Sequence, residues 1–230
     1  LAGTIIISGY HSFDSEHPAP KDFNESNTLY GLKAGEKTFK SVFVRRLEHV
    51  TGCPAFSGER MVFAGDSDVW EGGIEIEEDS EDRLGSLWGF RTTPLAMANT
   101  DAGNGGSMGT RSVVIAGGTI WAELRGRHMG ALVSVPLLKK PADQEPPDLA
   151  DSWKIQREQL ALAKAIRISP AEDAPPADVC ESIDSLCAWN GPDGSWKIAF
   201  RSDYKTVWLL EKGAKEPKKL FTDSPPEDRD

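Results

Sequence analysis

Asp66, Asp68 and Glu71 put three carboxylates into six residues, and Glu75, Glu77, Glu78, Asp79, Glu81 and Asp82 follow closely. Hard cations take several carboxylate and carbonyl oxygens from a flexible loop, so calcium is the cofactor this stretch would admit, with Asp66, Asp68 and Glu71 as its ligands. The order Asp66-x-Asp68-x-Trp70 breaks the helix-loop-helix calcium spacing. The stretch therefore reads first as a solvated acidic loop, and no cofactor is expected. His11 and His17 stand near Asp14 and Glu16, but the spacing matches no zinc motif. With the isolated His49 and His128 they read as ordinary histidines, and no metal site is expected. Gly103 to Gly109 lacks the Lys-Ser/Thr of a phosphate loop. Asn24-Glu25-Ser26 has the pattern of an N-glycosylation acceptor.

Charge narrows the partners. The chain has 230 residues and a formal net charge of −10. Such a surface repels phosphate backbones and anionic membranes, so neither nucleic-acid binding nor membrane insertion is expected. No apolar run approaches the roughly 20 residues of a membrane span. Leu1-Ala2-Gly3 opens the chain without Met. That fits a processed N-terminus, with a removed signal peptide as one explanation and a trimmed boundary as another. Cys180 and Cys187 flank a six-residue loop that a disulfide would close in an oxidising compartment. Three unlinked buried thiols, Cys53 included, are the competing reading. The expected location is periplasmic or secreted.

The elements that must position these groups read mainly as strands. Thr4–Ser8 is a β-branched run, and Thr38–Leu47 alternates apolar and polar residues. Ala131–Leu138 reads as a strand at an edge or ending at Pro136. His11–Asn27 and Asn99–Thr110 read as loops. Lys139–Ala150, rich in proline and charge, reads as a linker. Asp151 or Ser152 would cap a helix from Trp153 to Ile166, with Ile155, Leu162 and Ile166 on one face. The 22 Gly and 15 Pro residues fit a chain with many turns.

One phrase occurs three times: RMVFAGDSDVW at 60–70, RSVVIAGGTIW at 111–121 and KIAFRSDYKTVW at 197–208. Each is a strand, a tight turn and the start of a second strand ending in Trp. Trp70, Trp121 and Trp208 are expected to pack between strands. The third copy, with Pro192-Asp193-Gly194 before it and Glu216 to Thr222 after it, resembles one unit of the TolB-type β-propeller repeat. The resemblance covers about 35 residues and implies a propeller blade at 189–222. The other copies lack the Pro-Asp-Gly lead-in, and their starts lie about 51 and 86 residues apart. Pro192-Asp193-Gly194 also has its own turn chemistry: Pro fixes φ, Asp caps and Gly takes positive φ.

Met61-Val62-Phe63-Ala64-Gly65-Asp66-Ser67 is also similar to the nucleophile block of the Gly-Asp-Ser hydrolases. That resemblance implies Ser67 as nucleophile, delivered by a strand onto a turn where a histidine takes its proton. The family's Gly-x-Asn-Asp block and late Asp-x-x-His have no counterpart, since no Asp follows Asn104 and the last histidine is His128. A hairpin turn is the preferred reading of residues 65–68.

These readings together predict a mainly β fold of repeated hairpins, propeller-like, irregular or sandwich, with one helix near 153–166. An α+β fold is the alternative. The predicted organisation is a β-rich domain at 1–138, a linker at 139–150 and a helix-plus-hairpin unit at 151–230, or one domain throughout. The expected function is non-enzymatic binding of a protein partner through acidic and Gly-rich loops, with Asp66, Asp68, Glu71, Trp88 and Asn104 as candidate contacts. An inhibitor or immunity-type protein, a hydrolase using Ser67, and a calcium-stabilised structural domain are the alternatives.

Overall fold

The structure is a computed structural model. It describes residues 3–9, 28–44, 52–65, 68–78, 80–81, 83–95, 110, 112–125, 130–140, 147–168, 183–202 and 206–222. The fold is mainly β, as the sequence predicts, with its strands in three sheets.

The first sheet has seven strands: β1 (Thr4–Gly9), β2 (Thr28–Lys33), β3 (Lys40–Val44), β4 (Ala55–Ser57), β5 (Arg60–Gly65), β6 (Asp68–Ile76) and β7 (Arg83–Pro94). Their order is β1-β2-β3-β7-β6-β5-β4. Every pairing is antiparallel except β3 with β7, which is parallel and joins two antiparallel runs. The sheet curls into a half-barrel. Leu29, Val42, Met61, Phe63, Leu84 and Leu87 form a core cluster on this sheet. Glycines permit the close strand approach this needs. Gly72 pairs with Gly89 across β6 and β7. A Cβ on Gly72 would overlap the Trp88 carbonyl oxygen.

The middle sheet runs β11-β10-β9-β8. Its strands are β8 (Val113–Ala116), β9 (Thr119–Arg125), β10 (Gly130–Pro136) and β11 (Lys164–Ile168). It is buried on both sides. Val113, Ile115, Ile120, Ala122, Leu124, Ala131, Val133 and Val135 pack with Val62, Ala64, Val69 and Leu95 of the first sheet. The alternate residues Ala116, Trp121 and Leu132 face the C-terminal sheet. Gly117 and Gly118, at φ 59° and 72°, form the two-residue turn between β8 and β9, and a left-handed pair matches the twist of the flanking strands.

The C-terminal sheet is a four-stranded antiparallel meander: β12 (Ile183–Asn190), β13 (Trp196–Ser202), β14 (Thr206–Glu211) and β15 (Lys218–Thr222). It seals the outer face of the middle sheet with Ile183, Ile198, Phe200 and Leu210. Trp196 meets Trp121 at 5.4 Å between ring centroids. Asn190 clamps the same junction: its Oδ1 accepts from Gly117 N at 2.9 Å and its Nδ2 donates to Ile115 O at 3.0 Å. The four-strand meander is the topology a propeller blade would have. Many antiparallel β folds share it, so it does not single out the propeller.

Each copy of the repeated phrase builds a hairpin in a different sheet: β5–β6, β8–β9 and β13–β14. In two of them the Trp lies opposite and stacked on a Phe, Phe63 with Trp70 and Phe200 with Trp208. Cross-strand aromatic pairs of this kind each contribute up to about 1 kcal/mol.

The helix predicted near 153–166 is present, with both ends four residues earlier. It runs from Leu149 to Leu162 (α1), capped by Asp148, whose side chain accepts from Asp151 N at 2.9 Å. Asp151 and Ser152 therefore lie inside the first turn rather than at the cap. Residues 164–166, expected as the last helical turn, form β11 instead. There Ile166 pairs with Leu132 and the strand completes the edge of β10. Ladder bonds to a strand already in place outweigh weak helix propensity in this β-branched segment. β10 ends at Pro136, as one reading had it, but it is an interior strand and not an edge. The helix buries Gln156 and Gln159 and exposes Trp153 and Leu162. β11 follows the 139–150 segment yet pairs with β10, which precedes it, so the chain on both sides of that segment shares one sheet.

The turn at 191–195 keeps its sequence logic. Gly194 sits at φ 74°, Gly191 N donates to Ser195 O at 2.8 Å, and Asp193 Oδ1 accepts from Ser195 N at 3.0 Å and from Ser195 Oγ. The Ser195 hydroxyl, followed by the Ser195 N–H, holds the Asp193 carboxyl below the usual aspartate range. A depressed native pKa contributes stability above the unfolded value, and that share is lost as pH falls through the native titration. In Ser195→Ala, the Asp193 midpoint is expected to rise toward the ordinary value of about 3.9. Its carboxyl carbon shift, followed by NMR titration, checks this. An unchanged midpoint would mean the hydroxyl does not hold the carboxylate.

Candidate functional site

The residues singled out from the sequence do not converge. Asp66, Ser67, Asn104 and Cys180 lie outside the described residues, as do His11, His17, His49 and His128. Asp68 opens β6 and meets Arg91 Nη1 at 3.2 Å. Glu71, expected on an acidic loop, is an interior residue of β6 and only 1% exposed. Its Oε1 accepts from Arg60 Nε at 2.8 Å and Nη2 at 2.6 Å, while Arg60 Nη1 donates to Leu138 O at 2.8 Å. Arg60 thus joins Glu71 within the first sheet to the segment after β10, and Glu71 is a buried partner of an ion pair rather than a residue of a solvated loop. Asp68 and Glu71 are three positions apart on a strand, which directs them to opposite faces. Among the described residues no three His, Cys, Asp or Glu side chains gather as a metal site would require. Trp88 lies over Gly73, where its indole covers backbone that a glycine leaves bare. Cys187 is exposed on β12, and its expected partner Cys180 is beyond the described residues.

The described residues do present one surface with the character of a binding site, on the outer face of the C-terminal sheet. Alternation sends Ile198 and Phe200 of β13 and Trp208 and Leu210 of β14 into the core. It sends Lys197, Ala199 and Arg201, with Val207, Leu209 and Glu211, the other way. The register lines these up in three rows: Trp189–Lys197–Glu211, then Cys187–Ala199–Leu209–Lys218, then Ser185–Arg201–Val207–Phe221. An apolar diagonal crosses the face from Trp189 through Ala199, Leu209 and Val207 to Phe221. Its two aromatic ends are 53% and 58% exposed. The middle residues are half-buried and stand outside the core cluster beneath. Three strand spacings of about 4.8 Å and four residues of about 3.3 Å make the diagonal roughly 20 Å long.

Charged side chains border the diagonal. Lys197 and Lys218 lie on one side and Arg201 on the other, with Glu211 bound to Lys197 Nζ at 2.7 Å. That hydrogen bond, with the Lys197 charge, holds the Glu211 carboxyl below the usual glutamate range. The hairpin turn next to it carries Lys212 and Lys215 against Glu216.

No family model, curated protein or solved structure matches this chain. Its function must be argued from the surface itself.

The sequence carried a signal for this face that the loop-centred reading missed. Val207-Trp208-Leu209-Leu210 is a continuous apolar run, the pattern of a strand covered on both sides. One side is covered by the middle sheet, and the other is the open diagonal. Among the described residues no helix is long and apolar enough to cross a membrane.

Proposed function

We propose that this chain is a non-enzymatic binding protein that engages a protein partner through the outer face of its C-terminal sheet. The supporting observation is the Trp189–Phe221 diagonal: apolar side chains on two central strands, open to solvent and capped at both ends by half-exposed aromatics. Tryptophan and other large side chains in such a setting are the usual anchors of protein interfaces. An acidic chain with a locally basic sheet also suits selective docking, because charge across an interface sets orientation and rejects wrong partners. The expected setting remains the cell envelope or secreted space, which the Cys180–Cys187 spacing suggests.

The test places a photo-reactive amino acid at position 189 or 221 and irradiates cells of the source. One stoichiometric cross-linked protein is expected from both positions and none from Ile5, an exposed residue of the first sheet. Cross-linking that is equally diffuse at all three positions would remove the proposal.

A further inference from the structure

We infer that the element held by this face is an acidic, amphipathic polypeptide segment, an identification that rests on the binding role proposed above. Size comes first. A standard interface takes about 800 Å² from each partner, whereas a diagonal of roughly 20 Å matches six or seven extended residues. The face therefore fits a segment better than a broad domain surface. Its floor is apolar, so the segment must supply apolar side chains to Trp189, Leu209 and Phe221.

Charge then decides the flanks. The border of the diagonal holds three cations and one anion, Lys197, Arg201 and Lys218 with Glu211. Residues 183–222 carry seven Lys and Arg against five Asp and Glu, in a chain whose net charge is −10. Positive charge is thus concentrated on this sheet. At physiological salt the screening length is about 8 Å, so the local border outweighs the distant acidic surface. Two or three carboxylates on the segment would balance it.

A nucleic-acid strand fits worse. It brings one phosphate for about every 3.4 Å of each strand, some six along the diagonal. Glu211 stands within the face to repel them. A second copy docking face to face is opposed by the same Lys218 and its neighbours, since like charges would be brought together.

The test uses the whole chain and three labelled probes, read by fluorescence anisotropy. The first is a twelve-residue peptide mixing Glu or Asp with Leu and Phe. The second is its Lys-for-Glu counterpart, and the third is a twelve-nucleotide poly-dT strand. The acidic peptide is expected to bind tightest. Lys218→Glu should weaken it about fivefold and Trp189→Ser about tenfold. Both positions are at the surface, so unchanged thermal melts should accompany the loss. Tighter binding of the basic peptide or of poly-dT overturns the inference, as does indifference to Lys218→Glu. A concentration-dependent dimer abolished by Phe221→Ser would assign the face to self-association and overturn it as well. If the acidic peptide fails while positions 189 and 221 still cross-link one protein, only the acidic identity falls. If cross-linking fails too, the binding reading falls with it.

Discussion

Arg60→Met is expected to lower the free energy of unfolding by about 3 kcal/mol, within the range for removing one partner of a buried ion pair. Arg60 makes two hydrogen bonds to Glu71 Oε1 and one to Leu138 O. Its removal leaves a carboxylate that is 1% exposed without its guanidinium. It also frees the Leu138 carbonyl just beyond β10, and a part-buried acceptor left unpaired costs more than the bond itself contributed. The loss arises from stranding a buried charge, so removing both members should restore most of it. Arg60→Met with Glu71→Leu is therefore expected to be much closer to wild type than Arg60→Met alone. Urea melts of the single and double variants give the comparison. A single variant within 0.5 kcal/mol of wild type would mean that Arg60 does not stabilise the buried Glu71 carboxylate.

Gly72→Ala carries a cost of similar size for a different reason. Its Cβ would sit on the Trp88 carbonyl oxygen and against the Gly89 backbone. Neither is the end of a flexible side chain, so the β6–β7 ladder must open. Forcing atoms into a packed site costs about 1–3 kcal/mol and occasionally more, and a backbone collision belongs at the upper end. Gly213→Ala is the informative contrast. Gly213 sits at φ 84° with nothing near its missing Cβ, so its penalty is conformational and about 1 kcal/mol. Thermal melts should rank Gly72→Ala well below Gly213→Ala. Hydrogen exchange should speed up in β6 and β7 for the first variant and only around the β14–β15 turn for the second. Equal melting temperatures would show that curvature of the seven-stranded sheet does not depend on Gly72.

The two glycines also mark the limit of the sequence reading. Gly194 announces itself through Pro192 and Asp193, and Gly117-Gly118 through the β-branched residues on either side. Gly72 and Gly73 carry no such local signal, since what requires them is their place inside β6 opposite Gly89 and Trp88. The same holds for Glu71. It stands in a stretch with Asp66, Asp68, Glu75, Glu77 and Glu78, so it looks solvated until Arg60, eleven residues away, is placed beside it. The helix shifted for a related reason. Ile166 completes a helical stripe on paper, but a vacant edge on β10 offered ladder bonds that no local pattern records. The open diagonal could have been suspected from the unbroken apolar run at 207–210, though not its basic border, which two non-adjacent strands supply.

The sequence by itself determined the strand-turn-Trp hairpins, the left-handed glycine turns, the mainly β class and the acidic balance of charge. These depend on φ preferences, alternation and composition, which act over a few residues. Only the tertiary structure decided that each hairpin belongs to a different sheet, that β3 runs parallel to β7, that Arg60 neutralises Glu71, and that no other described element packs on one face of the last sheet. Those outcomes rest on contacts between segments far apart in the chain. They are set by which faces can be buried together at the lowest free energy, a choice that no short stretch of residues makes alone.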